Sequence, residues 1–590
     1  MIEKKIFAQK KTRQKANTFN AALRGVSQRV LATVMSVVLA VGMLPALSWA
    51  ENTTSNATEV WDGTSTSEPT KNEEGSYVIK TANELAWFMS AASEDCAYAG
   101  NAILANNIDL GTLSSWYTPG LSSKSDRADD GRDGYQGTFD GNGHSITVNY
   151  AKTGENVNTI VSLFYFIGTN GVVENLTVEG SFSATVTGLN NMREAHAASI
   201  VYYNYGTVKN CANKATIQST SPKSYTYAAG IACWNAGTLE QCANYGSISS
   251  ISEGTLVRTF AGGITSYIRY PGNNTEQKVQ IKSCYNSGAI TTSFQPEKPT
   301  NTTYYAVAGG IVGYAMGYFD VQNCLNTGTI CATNTTDPSI TNCCFDGGVM
   351  GGIWFGSSYS ASQRSVTNCF YLEGTASSTC VSMIVKSNTA AVEKNCGAAT
   401  SENVSSAGWI TENLGSWFND ILGVYFDEVT VYADNAFVSV APNDGTAADV
   451  SATPLYLISV KASNLAEGSI PIVSNTEFVK DGDFYKTLVL QDVANAVKEG
   501  TTKVSITKGT AATTPTLKGD VNMGGTLTIV DAQIAYDMAC ACYNTSTAAI
   551  AEFLAADVNA DNVLNALDAR AIQHALHLDW DAADENANVA

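Results

Sequence analysis

Gly237-Thr238-Leu239-Glu240-Gln241-Cys242-Ala243-Asn244-Tyr245-Gly246-Ser247-Ile248 is the stretch on which the fold turns. Its pattern, Gly-Thr-hydrophobic-x-x-Cys-x-Asn, stands earlier as Gly206-Thr207-Val208-Lys209-Asn210-Cys211-Ala212-Asn213. It returns around Cys284-Tyr285-Asn286-Ser287-Gly288 and Cys324-Leu325-Asn326-Thr327-Gly328, and in degraded form at Cys369-Phe370-Tyr371. Intervals of 31, 42, 40 and 45 residues separate these five cysteines. Between them lie small-residue patches ending in an apolar residue, such as Ala229-Gly230-Ile231, Gly262-Gly263-Ile264, Gly309-Gly310-Ile311 and Gly351-Gly352-Ile353. Constant strands with inserts of variable length are the mark of a solenoid, whose rungs keep register while loops grow on one face.

Side-chain alternation constrains each rung. In a regular strand Val208 and Asn210 share a face and Cys211 takes the other. For Val208 and Cys211 both to point inward, a bend must fall between them. The Asn-x-Gly after several of the cysteines suits a tight turn at positive φ. Stacking puts like over like, so the repeated Cys and Asn are expected to form ladders. The pattern resembles the GLUG-type repeats of secreted bacterial surface proteins, which are right-handed parallel β-helices. Upstream, Ile79-Lys80-Thr81-Ala82-Asn83-Glu84-Leu85 resembles that family's helical entry. Asn107-Ile108-Asp109-Leu110, Trp116-Tyr117-Thr118-Pro119-Gly120 and Gly137-Thr138-Phe139-Asp140-Gly141-Asn142-Gly143-His144 follow in the family's order. The resemblance implies a mainly β chain with a parallel β-helix over 77–425; a bare end would expose strand edges, and residues 405–419, helical or irregular in pattern, are expected to close it. It implies no activity, because fold does not set function.

The repeat cysteines read as an apolar thiol stack inside the coil, since free Cys behaves as a small buried hydrophobe. Disulfides fit better among Cys331, Cys343, Cys344, Cys380 and Cys396, with pairing open. Cys540 and Cys542 point to different sides of one helix.

Residues 1–50 read as a secretory signal peptide: a basic stretch from Lys4 to Arg29, an apolar run over 30–47, and Ser48-Trp49-Ala50 as a cleavage site. They hold eight of the 34 Lys and Arg and one of the 54 Asp and Glu, so the remainder carries a formal charge of −27. That balance excludes nucleic acid and anionic membranes as partners, and no second apolar stretch has spanning length. Charged residues are only 15% while Gly is abundant, a composition of strands and turns. Residues 51–76 read as a Ser/Thr/Asn-rich linker.

Catalysis finds little to work with. Glycoside hydrolysis needs two carboxylates across the bond, and elimination from a uronic acid needs a base with a neutralising cation. The repeats offer His144 and His196 as their histidines. Asp140 reads as a turn acid, and the cluster Asp126-Arg127-Ala128-Asp129-Asp130-Gly131-Arg132-Asp133 as a solvated loop. Tyr202, Tyr203, Tyr205, Tyr225, Tyr227, Trp234, Tyr267, Tyr270, Tyr304, Tyr305 and Trp354 are read mainly as strand formers, with sugar stacking as the alternative.

Past the solenoid, short strand-like runs over 426–508 suggest a β-sandwich spacer, and 509–517, with Pro515, a linker. Then an acidic pattern occurs twice, 37 residues apart: Asp520-Val521-Asn522-Met523-Gly524-Gly525-Thr526-Leu527-Thr528-Ile529-Val530-Asp531 and Asp557-Val558-Asn559-Ala560-Asp561-Asn562-Val563-Leu564-Asn565-Ala566-Leu567-Asp568. Positions 1, 3, 9 and 12 of each carry side-chain oxygens: Asp520, Asn522, Thr528 and Asp531, then Asp557, Asn559, Asn565 and Asp568. Asp561 adds position 5 in the second copy, and Thr526 and Val563 offer main-chain carbonyls at position 7. That is the spacing with which a twelve-residue loop wraps Ca²⁺. Helical patterns follow over 532–542 and 569–578.

Duplicated loop–helix units without a leading helix resemble a type I dockerin, here over 518–579 with an acidic tail over 580–590. The resemblance implies Ca²⁺ as cofactor and a cohesin-type scaffold protein as partner. It places Ile529, Val530, Ala566 and Leu567 against that partner. Two positions depart from the family: Gly524 removes a ligand from the first loop, and Asn562 replaces the usual Gly at a left-handed position. The expected protein is secreted, tethered by the dockerin, and displays its β-helix for adhesion or glycan binding. The competing expectation is a polysaccharide-degrading subunit of a cellulosome-like complex.

Overall fold

The computed structural model describes residues 60–576, apart from 121–133, 189–192, 254–256, 270–277, 296–304, 336–342, 355–362, 377–378, 386–392, 440–452, 463–464, 466–467, 511–516 and 540–548. Residues 1–50, read above as a signal peptide, the 580–590 tail, the 126–133 cluster, Tyr270, Tyr304, Pro515, Cys540 and Cys542 lie outside the described residues. The chain divides into two units, and the described residues fall in one of them except for Asp420–Gly423. No helix among the described residues is long and apolar enough to cross a membrane.

The repeats build a parallel β-helix. One rung runs through Thr207–Lys209, Ala212–Asn213 and Thr216–Ser221 in a first sheet, Thr226–Ala229 in a second, and Ala232–Asn235 in a third. The next strand, Thr238–Glu240, returns to the first sheet and pairs in parallel with Thr207–Lys209. The same shift of one rung pairs Ile217 with Ile248, Thr226 with Thr259 and Ala232 with Thr265. Insert length varies outside these strands, as the uneven cysteine intervals require.

The bend needed between Val208 and Cys211 is present: both side chains are buried, and Asn210 between them has φ +50°. Gln241, Ser283, Asn323, Asn368 and Asn395 hold the same left-handed place in later rungs. Asparagine tolerates that conformation better than most residues. Here it also bonds along the stack, Asn210 Nδ2 donating to Asn175 Oδ1 at 2.7 Å and Asn395 Nδ2 to Asn368 Oδ1 at 2.8 Å. The positive φ therefore falls before the cysteine, and not at the Asn-x-Gly that the sequence suggests. Gly246, Gly288 and Gly328 serve close approach instead. A Cβ on any of them would collide with a carbonyl of the rung before, Ala215, Gly246 and Gly288 respectively.

Two ladders run inside. Asn213, Asn244, Asn286 and Asn326 are fully buried, and each Nδ2 donates to the next Oδ1, at 2.7, 2.6 and 2.6 Å. Each Nδ2 also reaches the carbonyl two residues on, which pins the turn. Cys211, Cys242, Cys284, Cys324 and Cys369 stack as expected. Each thiol points at the carbonyl two residues before it, for example Cys242 to Glu240 at 3.4 Å. The left-handed bend turns that carbonyl inward, and S–H is the small apolar group that can still donate to it. Burial acts against a thiolate along the row: it pushes Cys211 up to about 12, and Cys242 and Cys324 well above the ordinary thiol range, while at Cys284 hydrogen bonds with Cys242 and Cys324 outweigh burial and lower the thiol, which stays closed to solvent. Iodoacetamide at pH 8 is therefore expected to spare Cys211, Cys242, Cys284 and Cys324 in the native chain and label all four in denaturant. Equal labelling in both conditions would contradict the stack. All twelve described cysteines are free.

Caps close the coil. Helix Ala82–Glu94 starts at a capping box, Thr81 Oγ1 accepting from Glu84 N and Glu84 Oε2 from Thr81 N. It buries Leu85, Phe88 and Met89, with Phe88 against the rings of Tyr135 and Phe139. Residues 60–76 correct the linker reading. Trp61 packs edge-on against Trp116 and donates its backbone N–H to the Asp109 carbonyl, and Thr70–Lys71 pairs antiparallel with Tyr77–Ile79. At the other end helix Ala407–Asn413, capped by Ser406, sets Trp409 against Phe370.

The 426–508 region holds a four-stranded and a three-stranded antiparallel sheet, with a helix, Gln491–Lys498, that strand patterns did not suggest. Alternation along Thr453–Lys461 divides the larger sheet's faces. Ile458 and Val460 pack with Ala494 of the helix and with Val473 and Phe478. Leu457, with Leu488 and Val479, packs with Val521, Ala532, Phe553, Leu554 and Ile572 from the loop–helix units. The spacer and the acidic module thus share one apolar core.

Candidate functional site

The two acidic loops fold alike, residue for residue. Position 4 is left-handed in both (Met523, Ala560), and so is position 6 (Gly525, Asn562). The position 6 N–H donates to the position 1 carboxylate: Gly525 to Asp520 at 2.7 Å, Asn562 to Asp557 at 3.1 Å. The position 9 N–H donates to the position 12 carboxylate: Thr528 to Asp531 at 2.8 Å, Asn565 to Asp568 at 3.0 Å. Asp531 also accepts from Asn522 N, and Asp568 from Val558 N, which ties the last ligand position to the loop's start. Helices begin earlier than the sequence pattern implies, at Ile529–Ala539 and Ala566–Ala575. Position 12 therefore lies in the first turn, where the helix dipole favours an acid, and Asn565 with Asp568 makes a capping box. A third helix, Ala549–Ala556, precedes the second loop, and its Ala-rich apolar run is the sequence signal that marks it.

The four end carboxylates, Asp520, Asp531, Asp557 and Asp568, are all buried. Burying an ion without a partner is costly, so the surroundings of each oxygen are informative. Both oxygens of Asp520 accept backbone N–H groups, from Gly524 and Gly525. At Asp531 burial acts to raise the carboxyl, but donations from Asn522 N–H and from Thr528 outweigh it and hold it below the usual range. The second loop is less well satisfied. Burial raises Asp557 and Asp568 above the usual carboxylate range, and Asp561 nearby adds repulsion to both. Asp557 Oδ1, fully enclosed, has no hydrogen-bond partner among the described residues.

These oxygens fit a hard cation. A carboxylate or amide oxygen that accepts one N–H keeps a lone pair for a metal, and Ca²⁺ takes six to eight oxygens. Asp557, Asn559, Asp561, Asn565 and Asp568 supply side-chain oxygens, and Val563 a carbonyl. Thr526 and Val563 leave their side chains exposed, as suits residues offering only the main chain. The first loop has two acids, and Gly524 puts its N–H on Asp520 and Asn522 where a ligand would stand. Among the described residues no group of three or more His, Cys, Asp or Glu forms a ready metal cluster. Asp561 accepts from Asn559 and Val563.

Ile529, Val530 and Leu567 are 50%, 52% and 57% exposed, and Ala566 is exposed too, each in the first turn of a helix. The two pairs thus stand exposed at equivalent places of the two units. Lys518, absent from the sequence reading, donates to the carbonyls of Leu554 and Asp557, a cation at the end of helix Ala549–Ala556. Asn562 Nδ2 donates to Tyr432 Oη of the larger sheet at 3.2 Å. Tyr432→Phe is expected to destabilise the module by about 1 kcal/mol, read as an earlier loss of its helical circular dichroism. An unchanged melt would show the contact to be idle.

On the solenoid, outward side chains of the second and third sheets meet in an aromatic corner. Tyr203, Tyr227, Trp234, Phe260 and Tyr314 are buried there against one another. Most of these rings therefore do what strand formers do. Within the corner Cys233 Sγ lies 3.6 Å from His196 Nδ1, and His196 Nε2 lies 3.2 Å from Glu194. The order is that of nucleophile, base and orienting acid. Cys233 and His196 are closed to solvent, however, and burial drives the thiol up. No motif in the sequence flags Cys233. His144 contacts Asn107, and Asp140 accepts from Asn142 N and Asn175 Nδ2, the turn role expected of it.

No protein-family model matches the chain, and no curated protein does. Among solved structures the chain is similar to a crystal structure of a "putative immunoglobulin A1 protease" from Bacteroides ovatus, at 17% identity and a TM-score of 0.38, over 59% of this chain and 90% of that one. A score that low carries no argument, and the description of the coil rests on its strand pairing.

Proposed function

We propose that the chain is a secreted protein whose C-terminal module is a calcium-dependent dockerin, with the β-helix displayed for adhesion or glycan binding. The observation that carries this reading is Asp557 Oδ1, a buried carboxylate oxygen without a partner among the described residues, inside a loop whose backbone is repeated 37 residues earlier. Calcium bound by Asp557, Asn559, Asp561, Val563, Asn565 and Asp568 would add positive charge to a loop whose nearby cation, Lys518, does not offset the burial of Asp557. The first loop, already satisfied by its own N–H groups, would bind more weakly. The exposed pairs Ile529–Val530 and Ala566–Leu567 would then meet a cohesin-type receptor. Because the pairs differ in identity, two equivalent docking orientations do not follow.

The test is calorimetric titration of the full chain with Ca²⁺, followed by binding to immobilised cohesin domains with and without chelator. Saturable uptake, with receptor binding lost on chelation, supports the module. A chain that takes up no calcium sinks it.

A further inference from the structure

The cysteine row does not stop at Cys369. Cys396, in strand Glu393–Ala399, stands in parallel register with Cys369 of strand Arg364–Leu372, as a sixth member that no repeat motif marks. Cys380, which precedes strand Val381–Val385 of the third sheet, reaches the same point from another wall, its Sγ 3.8 Å from the Cys369 carbonyl. Thiol hydrogen bonds join Cys396 to both Cys369 and Cys380. Three thiols thus converge at the end of the coil. Cys369 is fully buried, Cys380 nearly so, and Cys396 half-buried, which makes it the reachable sulfur.

Geometry chooses between the two pairs. In-register neighbours on parallel strands have parallel Cα–Cβ bonds, so their Cβ atoms stay a strand spacing apart, about 4.8 Å. A disulfide needs Cβ atoms about 3.5–4.5 Å apart. Cys369 and Cys396 are held to the strand spacing. Cys380 belongs to a different sheet and is not. The same strand spacing keeps Cys211, Cys242, Cys284, Cys324 and Cys369 from pairing with one another.

We propose that Cys380 and Cys396 form a disulfide that staples the last strands of the first and third sheets at the end of the solenoid, where strand edges would otherwise fray. The oxidant is a thiol–disulfide reagent. The Cys396 thiolate attacks one of its sulfurs and releases one thiol. Cys380 then loses its proton, attacks the Cys396 sulfur and releases the second thiol. The chain loses two hydrogens and the reagent disulfide becomes two thiols. Hydrogen bonds from Cys369 and then Cys380 lower the Cys396 thiol, which favours it as first nucleophile.

The test oxidises the full chain with glutathione disulfide, so the choice of pair is judged apart from the secretion reading. Remaining thiols are alkylated in denaturant and the chain is cut with trypsin. Cleavage after Arg364, Lys386 and Lys394 leaves Cys369 and Cys380 on one peptide and Cys396 on another. The expected product is those two peptides linked, with the alkyl group on Cys369. The link should persist in Cys369→Ser and be lost in Cys380→Ser. A link that persists in Cys380→Ser, or three alkylated thiols after oxidation, overturns the pairing.

Discussion

Asp557→Ala combined with Asp568→Ala is expected to abolish calcium uptake by the second loop and, with it, receptor binding, while substitutions in the repeats leave binding intact. Both residues are ligand candidates at the two ends of one loop, and Asp568 also caps the helix that presents Leu567. Loss of outer-shell partners alone costs a metal site roughly 10- to 100-fold, so loss of two ligands should exceed a hundredfold. Pull-down against a cohesin-type receptor in millimolar calcium reads the effect, and retained binding would refute the assignment.

A gentler variant separates ligand from structural cap. In the metal-free chain burial raises Asp557 above its unfolded value. The folded module then holds a proton that the unfolded chain has released, so this residue's contribution is most favourable below pH about 4 and declines as pH rises through the raised folded value. Asp557→Asn removes that penalty. It should leave the calcium-free module at least as stable at pH 7 while cancelling the gain from calcium. A structural cap would instead make the metal-free variant melt earlier.

Asn286→Ala is expected to give the largest loss of stability in the coil. Its Oδ1 holds Asn244 Nδ2, and its Nδ2 holds both Asn326 Oδ1 and the Gly288 carbonyl. Alanine leaves these buried groups short of partners at about 1–3 kcal/mol each, and a cavity besides. A total near 4 kcal/mol is expected, seen as a fall in the denaturant midpoint of the strand signal. Thr291→Ala, on the outer side of the next strand, serves as control; an equal loss there would mean that the ladder has no special weight.

Much of this was written in the chain because the repeat is one-dimensional. Each rung contacts its neighbours, so recurrence of Cys and Asn in sequence becomes adjacency in space. The coil, its two ladders and the bend beside Cys211 follow from spacing and alternation, and the paired loops follow from ligand spacing. These are relations among residues close in sequence or one period apart.

Contacts without a period needed the tertiary structure. Nothing local marks Cys380 as the neighbour of Cys396, or Cys233 as that of His196. The glycines after the Asn ladder are set by the carbonyl of the rung before, a clash invisible in the turn's own residues. Likewise the strand that carries Leu457 shows only alternation. That one face meets the Gln491–Lys498 helix and the other the acidic module is settled by packing between segments far apart in the chain, where burial of apolar area decides and sequence period does not.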